Sequence, residues 1–466
     1  MERTIRKFSR KKTEKKGATG GNGAHAAPDR RENGFLKGSA ILAAGNFLAK
    51  AIGAFYRVPL TNLLGSQGIG IYQMVFPVYC ILLTFSSAGV PSAIAKLVAS
   101  GENEKGVLGR SLAVFSAIGA VGSLAMLLFA RPLALLQGDE RAALAYRTLS
   151  PSVFLVSFIS CFRGYFQGKN NMLPTALSQT IEQAVKLLSG LTLCFFFRGD
   201  PVLSGALACL AVTLSEGVAC VYLLLRYRKS NREKASLYVD YPVKKLLFTV
   251  LPIAAAAILV PLSRMADSFA AINILKRNFP DATSLYGIYT GGVESIAGVP
   301  VAVCYGAAAA SVPTVAGLLK EGKSEKAKRK ATYALLFTCA VSLACAAALY
   351  FGANLIVGIL YAALPQGEKF LMAKLLKAAS ATVVLLAVMQ TANALLVAND
   401  RLLAPPVFLL IGVIVKIPLE IVLLFRKKIG IFAIPISDIA CYLIAVFCDL
   451  VYIRYINKSS PRSVQT

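Results

Sequence analysis

Charged side chains interrupt apolar runs of this chain that would otherwise exclude them. Lys50 and Arg57, Glu182 and Lys186, Arg264 and Asp267, and Lys416 and Glu420 each fall inside a long apolar stretch, as do Glu216 and Glu294. Insertion scales put the cost of such a residue at about 2.5–3.5 kcal/mol, so each is a candidate for handling a charged substrate or ion. Lys50 and Arg57 are seven residues apart, which stacks them on one helical face, and their run contains no acid. Their counter-anions must come from elsewhere: from Glu216 or Glu294 across a bundle, or from a substrate phosphate, whose oxygens suit a guanidinium fork and an ammonium. The other pairs are three or four residues apart, a spacing that lets each neutralise itself along its own helix. Asp267, Glu182, Lys186, Glu216 and Glu294 are therefore candidates either for ion coupling or for buttressing.

A second chemical signal is "GLLKEGKS" at 317–324, which fits the phosphate-loop pattern with Gly317, Gly322, Lys323 and Ser324. That loop works only between a buried strand and a helix. Here "AAAASVPTVA" precedes it, a helical stretch, so no nucleotide is expected. The single histidine is His25 and none of the ten cysteines forms C-x-x-C. Histidine catalysis, a metal site and a disulfide framework are not expected, and no cofactor is implied.

The elements that would position these charges are membrane spans. The 466 residues are 56% hydrophobic, in long blocks instead of amphipathic stripes. About 20 apolar residues cross a hydrocarbon core. Twelve such blocks can be marked, at 38–63, 71–98, 111–137, 144–166, 175–197, 202–225, 245–275, 285–319, 331–361, 371–398, 402–425 and 430–454. The fold class expected is an all-α polytopic membrane protein. The net charge of +27 follows the membrane and does not point to nucleic acid. Most Lys and Arg fall in the tails and in alternate loops, including "RYRKSNREK" (226–234) and "KEGKSEKAKRK" (320–330). The positive-inside rule then puts both termini in the cytoplasm. Residues 1–37 are polar and basic, with the composition of a disordered cytoplasmic tail.

The blocks also repeat. "VPLTNLLGS" (58–66) returns as "VPLSRMADS" (260–268), "GIY" recurs at 70–72 and 287–289, and "KLVASGENEK" (96–105) is echoed by "GLLKEGKSEK" (317–326). Six spans per repeat is an even number, so the halves share one orientation, related by a pseudo-twofold axis along the membrane normal. The expected organisation is the tail 1–37, a first lobe 38–226, a cytoplasmic linker 227–244, a second lobe 245–456 and a tail 457–466. Gly and Pro interrupt matching spans, at Pro59, Pro77, Gly89 and Pro91 and at Pro252, Pro261, Gly291, Gly292, Pro300 and Pro313. Such interruptions point to a transporter cleft between the lobes.

"RGYFQGKNNMLPTALSQTIEQAVK" (163–186) resembles the signature of the stage V sporulation protein B group. This group lies in the polysaccharide-flippase branch of the multidrug, oligosaccharidyl-lipid and polysaccharide exporter superfamily. "FYRVPLTNLLGSQGIGIYQMVFPVY" and "SSAGVPSAIAKLVA" are similar to the first two helices of the same group. The likeness is strong over about residues 38–190. It implies a flippase in the cell membrane that moves an anionic polyprenyl-diphosphate-linked sugar by alternating access, as in peptidoglycan or spore-cortex synthesis, with cell-wall synthesis proteins as partners. It also implies cationic cavity residues, with Arg57 matching a first-helix arginine. Arg264, by its place on the seventh span, and Lys50, on the same face as Arg57, are further candidates for substrate contact. Two alternatives stay open: a sodium- or proton-coupled exporter of small organic cations, using Glu216 and Glu294, and a polytopic glycan polymerase or transferase. The last would be an enzyme, and the short outer loops offer it only scattered acids such as Asp139, Glu140, Asp281 and Glu368.

Overall fold

The computed structural model describes residues 30–87, 89–230 and 241–459, and all its regular elements are helical. The proposed tail 1–37 and linker lie in part outside the described residues, as does the side chain of Lys50.

The first half comprises α1 (Arg30–Ser86), α2 (Val90–Ala99), α3 (Glu104–Leu128), α4 (Ala130–Gln137), α5 (Ala143–Gly168), α6 (Leu173–Phe196) and α7 (Pro201–Ser230). The second comprises α8 (Val243–Ala257), α9 (Leu259–Leu275), α10 (Ala282–Gly287), a π-helical turn (Ile288–Val293), α11 (Glu294–Lys320), α12 (Ser324–Leu360), α13 (Gln366–Ala398), α14 (Ala404–Leu424) and α15 (Ala433–Ser459). Among the described residues nine helices are long and apolar enough to cross a membrane, ten if the bent pair α8 and α9 counts as one span. The remaining passages have local reasons for escaping that criterion. Gly65, at φ 66°, bends α1 sharply and divides it into two passages. Glu182 and Lys186 lower the hydropathy of α6, a helix of membrane length. Twelve passages result, six in each lobe. Large apolar side chains such as Phe351, 83% exposed, face outward around the bundle, as lipid-facing surfaces do.

The two halves pack alike. In the first, α3 packs on α5, α5 and α6 on α7, α2 on α5, and α1 on α6; in the second, α12 packs on α13, α13 and α14 on α15, α11 on α13, and α9 on α14. These are equivalent pairs in the repeat order. The repeated "GIY" segments themselves meet: a Cβ on Gly287 would lie 2.6 Å from the Gly70 nitrogen, and one on Gly70 only 2.1 Å from the Thr283 carbonyl oxygen. Equivalent residues in contact lie beside the axis relating the lobes, and only glycine permits this approach.

Around that crossing the lobes are sealed at one end. Ser66 donates to Glu368 (2.8 Å), Asn62 to the Leu360 carbonyl (2.7 Å), and Gln137 to Ser268 (2.6 Å). Thr283 donates to Asp139 (2.5 Å). The π turn adds to the seal because its widened register exposes carbonyls: Gln73 donates to that of Thr290 (3.2 Å), Thr61 to that of Gly291 (3.4 Å). Toward the other end, α8 leans at 49° to α9, and its Leu246 and Val250 pack among first-lobe residues including Ile94, Leu108 and Phe162.

"GLLKEGKS" spans the junction of α11 and α12. Gly322 takes φ 74° in the turn, Lys323 pairs with Glu321 at 2.7 Å, and Ser324 opens α12. The helix before it is the structural context that a phosphate loop lacks.

Candidate functional site

Between the lobes lies a cavity of about 700 Å³, continuous through shared residues with a recess of about 220 Å³. Arg57 lines both, together with Glu294, while Arg264 lines the recess. Two of the three cations singled out in the sequence therefore converge on one space. The third, Lys50, is on α1 with its side chain outside the described residues.

The first-lobe wall is built on the seam of α1 and α6, which glycines bring close. A Cβ on Gly53 would lie 3.1 Å from the Gln183 side-chain oxygen, and one on Gly190 2.2 Å from the Tyr56 hydroxyl. Tyr56 is thereby locked in the seam at 2% exposure. Arg57, the next residue, is exposed to the cavity. Its side chain makes no hydrogen bond or ion pair among the described residues. Lys186 lies across the seam with its ammonium 6.0 Å from the centre of the Tyr56 ring, a cation–π contact, and it too has no ion pair.

The close ion pairs expected within single helices from sequence spacing do not form among the described residues. Glu182 pairs with Arg163 of α5 (2.9 Å) and not with Lys186, and Arg163 also donates to Ser178 (3.0 Å). Arg264 pairs with Glu294 of α11 and not with Asp267. Lys416 of α14 lies between Asp267 of α9 (2.6 Å) and Asp438 of α15 (2.7 Å) and not against Glu420, which accepts from Ser437 (3.2 Å). Spacing by three or four puts two side chains on one helical face. That face, once packed, looks onto another helix, whose opposing charge or hydroxyl sits head-on. Lys416, Asp267, Asp438 and Glu420 are each at most 3% exposed, so this cluster ties three helices together away from solvent. Glu216 likewise has a partner, the Tyr79 hydroxyl at 2.7 Å, and lies at 3% exposure.

Two participants were passed over in the sequence. Arg163 lies within the fourth apolar block, and that position was its signal. Asp438, in the last apolar block, holds Lys416 and accepts from Tyr289 (3.3 Å). With these pairings made, Arg57 and Lys186 face the cavity with no ion pair of their own among the described residues. A wall of this kind attracts anions, and its guanidinium fork and ammonium fit phosphate oxygens.

Residues 35–318 match the family model described as "Polysaccharide biosynthesis protein". The chain is 28% identical over 322 residues to Stage V sporulation protein B of Bacillus subtilis (strain 168), covering 65% of this chain and 61% of that protein. It is 25% identical over 315 residues to the Lipid II flippase MurJ of the same organism, covering 60% and 57%. The matches thus span about six-tenths of these relatives' lengths. Among solved structures, an inward-facing MATE family transporter of the MOP superfamily shares the fold at a TM-score of 0.73 and 16% identity, over 89% of this chain and 96% of that one.

Proposed function

The chain belongs to the polysaccharide biosynthesis protein family, and from that membership we propose that it is a flippase for an anionic polyprenyl-diphosphate-linked sugar, a peptidoglycan or polysaccharide precursor. The observation that carries this reading is Arg57, which has no ion pair among the described residues, on the wall of a cavity between two lobes. A diphosphate headgroup entering hydrocarbon meets an idealised cost of order 20 kcal/mol per charge. A wet, cationic cleft removes that cost. An inside-negative potential then favours outward movement by about 2.3 kcal/mol per charge per 100 mV, and no nucleotide is needed.

The positive-inside charge pattern supports an external sealed end, with both termini in the cytoplasm and the lobes, 38–226 and 245–456, in a conformation that loads from inside the cell membrane. The relationship to a sporulation protein supports spore-cortex synthesis as the setting, with cell-wall synthesis proteins receiving the product.

The rival reading, export of small organic cations, needs acids free to bind them. Glu182 and Glu294 are occupied by Arg163 and Arg264, and Glu216 is buried against Tyr79. The test is translocation of a lipid-linked precursor in reconstituted vesicles at matched protein level. Arg57→Ala should abolish it and Arg57→Lys should keep only part, because an ammonium retains charge but loses the fork. Full translocation by Arg57→Ala would refute the reading. A damaging Glu216→Gln or Glu294→Gln beside an indifferent Arg57→Ala would favour the rival.

A further inference from the structure

Of the cations near the cleft, Arg163 is held by Glu182 and Ser178, Arg264 by Glu294, and Lys416 by Asp267 and Asp438. Lys186 is held by none of these means. The face of Tyr56 at 6.0 Å compensates its ammonium only in part, and Glu182, which acts on it at longer range, is already held by Arg163. Tyr56 precedes Arg57 in α1, so the same ring that carries Lys186 places the guanidinium beside it, and both side chains line the one cavity. Two like charges brought together across a tight helix seam repel each other.

We infer that Lys186 is the second ligand of the substrate's diphosphate, and that the anion seat is built on the first lobe alone, across the α1–α6 seam. This rests on the anionic-lipid reading above. A diphosphate presents two adjoining anionic groups, one for the bidentate fork of Arg57 and one for the compact charge of Lys186. A single phosphate group brings less negative charge and fewer oxygens to share between the two cations. The site therefore prefers a diphosphate to a monophosphate, and Lys186 is the residue that sets the preference. The second lobe supplies the opposite wall of the cavity, with Arg264 already neutralised by Glu294.

The experiment uses the full chain in detergent micelles, titrated calorimetrically with inorganic pyrophosphate and with inorganic phosphate at matched ionic strength. Wild type should bind pyrophosphate more tightly. Lys186→Gln should lower pyrophosphate affinity about tenfold, the scale of one charge-assisted contact, and erase most of the preference over phosphate. Arg57→Gln should weaken both ligands. In wild type, pyrophosphate should also protect Lys186 from amine acylation, followed by peptide mass spectrometry, which keeps the test independent of any variant's folding. If Arg57→Gln weakens binding while Lys186→Gln keeps both affinity and preference, or if Lys186 acylates equally with and without pyrophosphate, the inference is overturned and the flippase reading stands. If wild type binds neither ligand, both are overturned.

Discussion

Lys416 is the residue whose loss the molecule should tolerate least. The residue is 2% exposed, and its ammonium neutralises carboxylates from two other helices. Removing one member of a buried ionic group leaves uncompensated charge, at a cost of about 3–5 kcal/mol. Lys416→Met should therefore lower the denaturation midpoint in micelles sharply, whereas Asp267→Asn, which leaves Asp438 to pair, should cost less. Equal and negligible shifts would show that the cluster does not hold the lobe together. Asp139, outside the membrane-length helices, behaves differently. Burial pushes its carboxyl up, but hydrogen bonds from Arg141 and Thr283 outweigh this and hold it below the usual aspartate range. A depressed folded-state value means that the stabilisation is present above the unfolded value, about pH 4, and is lost as pH falls through the folded one. Accessibility of a spin label at the sealed end to a water-soluble relaxation reagent should stay low from pH 8 to about pH 5 and rise only in stronger acid. In Asp139→Asn it should be raised across that range, and an unchanged profile in this variant would exclude Asp139 from the seal.

Among the elements, the crossing of the two "GIY" segments governs the sealed end. Neither Gly70 nor Gly287 has a positive φ, so what requires glycine there is contact: the added Cβ of Gly70→Ala would sit 2.1 Å from a carbonyl oxygen. Overpacking of this kind costs about 1–3 kcal/mol, enough to shift a two-state equilibrium by roughly fivefold to a hundredfold or more. Gly70→Ala should separate α1 from α10 and populate the state open at that end. Spin-label distances between the lobes would report it, and a distribution like that of wild type would mean that the crossing does not set the equilibrium. The π turn belongs to the same device, because its Thr290 and Gly291 carbonyls accept from first-lobe side chains.

For the whole molecule, alternating access requires the sealed end to open once per cycle. Ser66 and Glu368 lie on opposite lobes with their side chains 2.8 Å apart. In a cysteine-free background, Ser66→Cys with Glu368→Cys bridged by a short thiol-reactive linker should stop translocation, and a cleavable linker should restore it on reduction; undiminished transport in the bridged protein would rule out opening at this end. Much of this architecture was legible in advance. Apolar block length set the number of passages, because a bilayer's thickness dictates helix length, and the echoed "VPL" and "GIY" segments announced two like-oriented lobes. Arg57 stood out because a cation in an apolar run is costly whatever surrounds it. The ion pairs were not legible: spacing along a helix says which face a charge occupies and nothing of what the next helix brings to that face. Only the packed bundle decided that Glu182 answers Arg163, that Arg264 is spent on Glu294, and that Lys416 bridges Asp267 and Asp438. By those pairings it left Arg57 and Lys186 facing the cavity, since in a medium of low dielectric each charge takes the opposing partner nearest in space, and sequence distance does not enter.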